Sequence, residues 1–232
     1  MDNNTLQIKF DLRLNKLASF DYDNIECWQK AEAFNKAQIE FIRRQVHGKN
    51  QKQEGDESSK VLIDDLQKIL IASPIAVTKR DGYYETDILP ADYLFFKRIS
   101  TKSVTECCVK GRALVIYLAE EADVDEMCID MFKKPSAEWG ETFCTMIDNR
   151  IRIYTNNEFD LAPVTLTYYR YPQIVSFAGC VDMSGNPTQN SICEFKDDIV
   201  EMIIDEAVGI LAGDIESFNQ MSRNKQNAAQ TN

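Results

Sequence analysis

A chain of 232 residues with 44% hydrophobic and 27% charged residues can bury one sizeable core, or one core with a helical extension, and leaves no room for a second full domain. Its formal charge of −11 excludes a non-specific nucleic-acid surface, because that kind of binding draws its affinity from cationic side chains that release counterions. Seven cysteines without a C-x-x-C pair, no leader-like apolar run at the N-terminus, and no stretch of about 20 apolar residues predict a cytosolic protein with free, mostly buried thiols and no membrane span.

The first element is a short amphipathic stretch in "LQIKFDLRLNKLASF". In the following "DYDNIECWQKAEAFNKAQIEFIRRQVHG", residues Ile25, Trp28, Ala31, Phe34, Ala37 or Gln38, and Phe41 recur at helical spacing and give one apolar face. Asp23 or Asn24 caps its start, while Arg43, Arg44 and His47 suit the negative end of the helix dipole before Gly48 closes it. Residues 49–60, "KNQKQEGDESSK", contain no apolar side chain and read as a solvated loop. "VLIDDLQKILIAS" repeats Leu62, Leu66, Ile69 and Leu70 until Pro74, which predicts a second helix and an antiparallel helical hairpin over 1–74.

From residue 75 the pattern shortens to strands. "IAVTKRDGYYETDIL" folds around Asp81-Gly82, and "RALVIYLAE", "ETFCTMI", "RIRIYTN" and "VTLTYYRYP" follow, with turns at Asp148-Asn149 and Asn156-Asn157. Residues 75–177 therefore read as a mainly antiparallel β-region, and 178–193, "AGCVDMSGNPTQNSIC", as a long loop. The helix of 194–217 closes the expected fold: α+β, an N-terminal hairpin and a C-terminal helix forming a helical bundle, with a central antiparallel β-region. Residues 218–232 read as a flexible polar tail.

The last helix carries the strongest signal. Residues 194–218 hold eight acids and one lysine. At 100° per residue, Ile199, Ile203, Ile204, Ala207, Val208 and Leu211 lie within an apolar arc of about 180°, wider than the roughly 100° stripe of an ordinary surface helix. The arc fits a core helix with a solvated acidic face. It also fits a helix with apolar surface left over for a neighbouring subunit, and periodicity alone does not choose between them.

Chemical motifs are sparse. The single histidine, His47, is explained as a helix-terminal cation, the cysteines lack metal-ligand spacing, and no phosphate-cradling glycine motif occurs. Glu120/Glu121 and Asp123/Asp125 are acid pairs of the kind that bind a divalent cation or act as acid and base, but 37 acids make such neighbours expected by chance. The aromatics Tyr83, Tyr84, Tyr93, Phe95, Phe96, Tyr168, Tyr169 and Tyr171 lack the surrounding basic residues of a base-stacking platform. No catalytic residue, cofactor site or metal site is predicted.

Five segments in order, "LRLNKLASFDYDNIECWQKAEAFNKAQIEFIRRQVHG", "ILPADYLFFKRIS", "KKPSAEWGETFCTMIDNRIRIYTNN", "VTLTYYRYP" and "FKDDIVEMIIDEAVGILAGDIES", resemble the head-to-tail connector proteins of short-tailed bacteriophages. The likeness is to the crAss-like group and, more distantly, to the tail tubular protein A type of adaptor. It spans about residues 10 to 218. The resemblance implies a non-enzymatic virion protein at the neck, made in the host cytoplasm and assembled as a ring of about twelve copies through heterologous contacts. Its implied partners are its own copies, the portal protein, and downstream tail or second-ring proteins, with DNA passing through without specific binding. On this reading the apolar arc from Ile199 to Leu211 supplies subunit contact, and Asp197, Glu201 and Asp205 face the channel. The tail residues Phe218, Met221, Arg223 and Lys225 are the portal-docking candidates. The rivals are a monomeric acidic DNA mimic that inhibits a host enzyme and a hydrolase built on paired carboxylates.

Overall fold

The computed structural model describes residues 1–14, 25–47, 64–105, 108–181 and 185–214. Its helices are α1 (Asn3–Leu14), α2 (Cys27–His47), α3 (Val124–Ile129) and α4 (Asp197–Asp214). The chain divides into two units: Leu70–Arg170 is one, and the other joins Met1–Ile69 to Tyr171–Asn232.

In the helical unit three apolar stripes cover one another. α1 buries Leu6, Phe10 and Leu14, one side chain per turn, and α2 buries Phe34, Ala37, Phe41 and Ile42. α4 packs on both α1 and α2, and its Ile199, Val200, Ile203, Ile204, Ala207 and Val208 are all at most 1% exposed. Burying a side chain of that size contributes roughly 1.5–3 kcal/mol, so this face dominates the unit's stability.

The second unit is a nine-stranded sheet. The strands are β1 (Leu70–Ile75), β2 (Val77–Lys79), β3 (Tyr83–Thr86), β4 (Tyr93–Thr105), β5 (Cys108–Leu118), β6 (Glu141–Ile147), β7 (Arg150–Tyr154), β8 (Asp160–Leu161) and β9 (Val164–Arg170). Their order is β1-β9-β4-β5-β6-β7-β3-β2, with β8 beside β4. The two ends of this order, β1 and β2, are separated in sequence by Ala76 alone, so the sheet curls until it is nearly closed, like a barrel. Period-two alternation fills the inside: Tyr84, Ile99, Cys144, Ile151, Ile153, Leu166 and Tyr168 form one buried cluster. Asp148 and Asn149 both take positive φ, 50° and 54°, the backbone that a two-residue β6–β7 hairpin requires.

This corrects the expected fold class. The architecture is a large mixed sheet accompanied by few helices, not a helical bundle with a central antiparallel region. β5 and β6 run parallel, which demands a long crossover, and Ala119–Gly140 with α3 provides it. The longest strand, β4, was not foreseen, because "YLFFKRISTKSVT" lacks clean alternation over its first residues. The expected second arm of the hairpin also fails at its end. Leu70–Ile75 pairs with β9 as a strand, and Pro74 is tolerated there because β1 has no other partner in the strand order. Residues 64–66 are helical and Gln67–Ile69 forms a 3-10 turn, so the arm is helical only up to β1; its residues 61–63, with the loop of residues 49–60, lie outside the described residues.

The placement of α4 makes a testable statement about stability. Ile203→Ala should cost about 2–4 kcal/mol in urea unfolding, with a midpoint that does not depend on protein concentration. A midpoint that rises with concentration would mean this face is shared between copies.

Candidate functional site

The predicted subunit-interface residues Ile199, Ile203, Ile204, Ala207, Val208 and Leu211 are all buried within the chain itself. That corrects the expectation that they cover a neighbour: α1 and α2 use the whole arc. The acids beside it are also committed. Glu201 pairs with Lys9 and Arg13, and Arg13 Nε lies 3.1 Å from Asp205. Asp197 takes the N-terminal ammonium, and Glu206 takes Arg44. The acidic strip is therefore a seam to α1 and α2, and of the three acids expected to face a channel only Asp197 is well exposed. The portal-docking candidates Phe218, Met221, Arg223 and Lys225 lie outside the described residues, as does the side chain of His47.

The loop after β9 is pinned from several directions, which the sequence did not reveal. Asn35 on α2 donates to the Val175 carbonyl at 3.0 Å and accepts from its N–H at 2.8 Å. Asn3, buried on α1, donates to the carbonyls of Ser176 and Ser191 at 3.0 and 2.9 Å. Cys27 and Cys180 form a disulfide across a separation of 153 residues, correcting the expectation of free thiols throughout. Cys144 and Cys193 remain free and buried, and burial pushes the Cys144 thiol up to about 12, which leaves it unreactive.

The predicted aromatic cluster is mostly core: Tyr84, Tyr168 and Tyr169 are buried, and Tyr93 stacks obliquely on Tyr168 at 5.7 Å. The acid pairs Glu120/Glu121 and Asp123/Asp125 stand exposed at the start of α3. Among the described residues, no group of three or more His, Cys, Asp or Glu side chains could hold a metal ion.

Exposed apolar side chains gather on the β5–β6 crossover. Met131, Phe132 and Trp139 are 79%, 76% and 63% exposed, and with Tyr117 they wall a cleft of about 180 Å³ floored by Phe143. The backbone holds them there. The Asp130 carboxylate accepts from the Phe132 N–H at 2.9 Å, and the Asp130 N–H bonds back to the Glu126 carbonyl at 2.9 Å, closing α3. Ser136 and Glu141 exchange backbone bonds in a tight turn that presents Trp139 outward. Gly140 in that turn has φ of 73°, and a Cβ on it would meet the Ala113 carbonyl at 3.2 Å. "DMFKKPSAEWGE" fits neither period, so periodicity assigns it no element and its later residues enter only through the resemblance. Large apolar residues in an aperiodic, charged segment were the available signal.

Electrostatics on α4 give a pH prediction. Burial alone would raise the Glu201 carboxyl, but Lys9 and Arg13 more than reverse this and hold it below its ordinary value of 4.5. The pairing thus stabilises the fold above that value and is lost as pH falls through the lower folded one. Arg13→Ala should cost about 1–2 kcal/mol at neutral pH, and the gap from wild type should close in acid, measured by urea unfolding. A gap independent of pH would mean that Arg13 acts through packing alone. No family model and no curated protein matches the sequence.

Proposed function

We propose that the chain is a structural virion protein that forms a connector ring between portal and tail and extends the DNA channel. The observation that carries the reading is the apolar cluster of the β5–β6 crossover, held outward by a fixed backbone and left uncovered by the chain's own core. Contiguous exposed apolar surface of this kind is built to be covered by another protein. The segment order shared with short-tailed phage connectors supplies the class of assembly. In those adaptors a β-region meets neighbouring tail components, which assigns this cleft to a downstream partner.

The proposed ring closes through heterologous contacts, about twelve copies by analogy, and α4 takes no part in them because its apolar face is already covered. The role needs neither a cofactor nor a catalytic residue. The acidic balance of −11 suits a conduit that DNA passes without sticking. The same charge favours a second reading, an acidic DNA mimic that blocks a host enzyme. Mimicry requires free acids spread over one face; on α4, Glu201, Asp205 and Glu206 are neutralised by cations of α1 and α2, so this reading would have to draw on exposed acids such as Glu120, Asp123 and Asp125.

Mixing purified chain with portal protein should give a complex of defined stoichiometry by light scattering, and antibody-labelled virions should show density at the neck. A chain that binds no portal at any ratio and labels no part of the particle would remove this reading.

A further inference from the structure

The Cys27–Cys180 disulfide sits where a small molecule can reach it. Cys27 is the first residue of α2, and Cys180 lies in the loop after β9, next to the exposed Ala178 and Gly179. Both cysteines line one open groove of about 260 Å³, whose walls also include Trp28, Ala31, Ile174 and Val181. The two sulfurs differ in what they gain on reduction. The opening N–H groups of a helix have no intrahelical acceptor and carry the positive end of its dipole, which favours a thiolate at Cys27. Gln7 of α1 adds a side-chain N–H that donates to the Cys27 sulfur at 3.4 Å. Glu26 and Glu32 oppose this, but both are exposed and act through water, while Lys30 is paired with Asp11 at 2.6 Å. Cys180, on a loop, belongs to no helix. Cys27 is therefore the better leaving group of the two.

We propose that Cys27–Cys180 is a redox-active disulfide that exchanges with small thiols in the folded protein, Cys180 being the sulfur attacked and Cys27 the thiolate released. The attacking thiolate bonds to the Cys180 sulfur as the Cys27–Cys180 bond breaks, and the electron pair of that bond leaves on Cys27. A second thiolate attacks the sulfur of the bound thiol, releases Cys180 and departs with it as the oxidised disulfide. Two electrons pass to the protein, and the protons of the two thiols end on the cysteines, or in solvent while Cys27 stays ionised. The rest of the loop does not depend on this bond. Asn35 holds both backbone groups of Val175, and Asn3 holds the carbonyls of Ser176 and Ser191. The bonds of Cys180 to Phe177 and Thr188 stay within the loop itself. Reduction thus frees the groove wall carried by Cys180 and Val181 and leaves the helical core in place. A reducing compartment releases that wall and an oxidising one clamps it, so one fold has two states of the groove.

Trp28 lines the same groove and becomes a sole reporter once the exposed Trp139 is removed by Trp139→Phe. A disulfide quenches a neighbouring indole, so millimolar reduced glutathione without denaturant should raise Trp28 emission while the far-ultraviolet circular dichroism stays unchanged. Peptide mass spectrometry after acid quenching should find glutathione transiently on Cys180 and little on Cys27. At neutral pH, Cys27 in the Cys180→Ser variant should be alkylated by iodoacetamide about tenfold faster than Cys180 in the Cys27→Ser variant. Gln7→Ala should slow the alkylation of Cys27 by about threefold. The proposal is overturned if the bond opens only in denaturant, if the circular dichroism collapses on reduction, if the glutathione adduct falls on Cys27, or if the two cysteines alkylate at equal rates. A chain that forms no Cys27–Cys180 bond even with oxidised glutathione overturns it as well. None of these readouts involves portal or ring, so the connector reading stands or falls apart from them.

Discussion

A helix with apolar side chains over half its circumference has to be covered, and the helical unit is organised by that requirement. The buried face of α4 lies on α1 and α2, which contribute Phe10 and Leu14 and Phe34, Phe41 and Ile42 to the same core. Each such side chain adds about 1.5–3 kcal/mol, against roughly 0–1 for an exposed ion pair, so apolar burial sets the packing. The ion pairs then fix its register. Lys9, Arg13 and Arg44 stand where Glu201, Asp205 and Glu206 emerge from the edge of the covered face, and burial of Glu206 raises its carboxyl despite the Arg44 partner. Eight acids on one segment are tolerable because the cations that answer several of them come from other helices.

The sheet unit meets a different constraint. A curled sheet has little room inside, and Ile151, Ile153, Leu166 and Tyr168 fill it. The parallel β5–β6 pair then obliges the chain to travel the length of the strands outside the ladder. That crossover carries Met131, Phe132 and Trp139 to the surface with their backbone bonds satisfied. The candidate site is a by-product of strand order: side chains with no place in the core, held on a segment whose path the topology dictates.

Much of the local structure was legible. The helix ending near His47, the turn at Asp148-Asn149, the strand of Arg150–Tyr154 and the helix from Asp197 follow from period, turn chemistry and propensity. Leu70–Ile75 was not, since "LQKILIAS" satisfies a helical period and a strand equally, and only the presence of β9 decides. The Cys27–Cys180 pairing was equally hidden, because 153 residues separate the partners and an odd cysteine count argues for free thiols. The candidate site was least visible, since exposure of Phe132 and Trp139 is a property of what surrounds them.

The sequence by itself determined the acidic balance, the identity of the long helices, the turns and the half-circumference apolar face of α4, because these depend on neighbours within a few residues. Tertiary structure alone decided that this face is spent within the chain, that its acids are answered by α1 and α2, that the strands close into a mixed sheet, and that the crossover aromatics remain uncovered. The reason is physical: periodicity says how much apolar surface an element must hide, but which atoms hide it is settled by segments many residues away, through packing that no local pattern encodes.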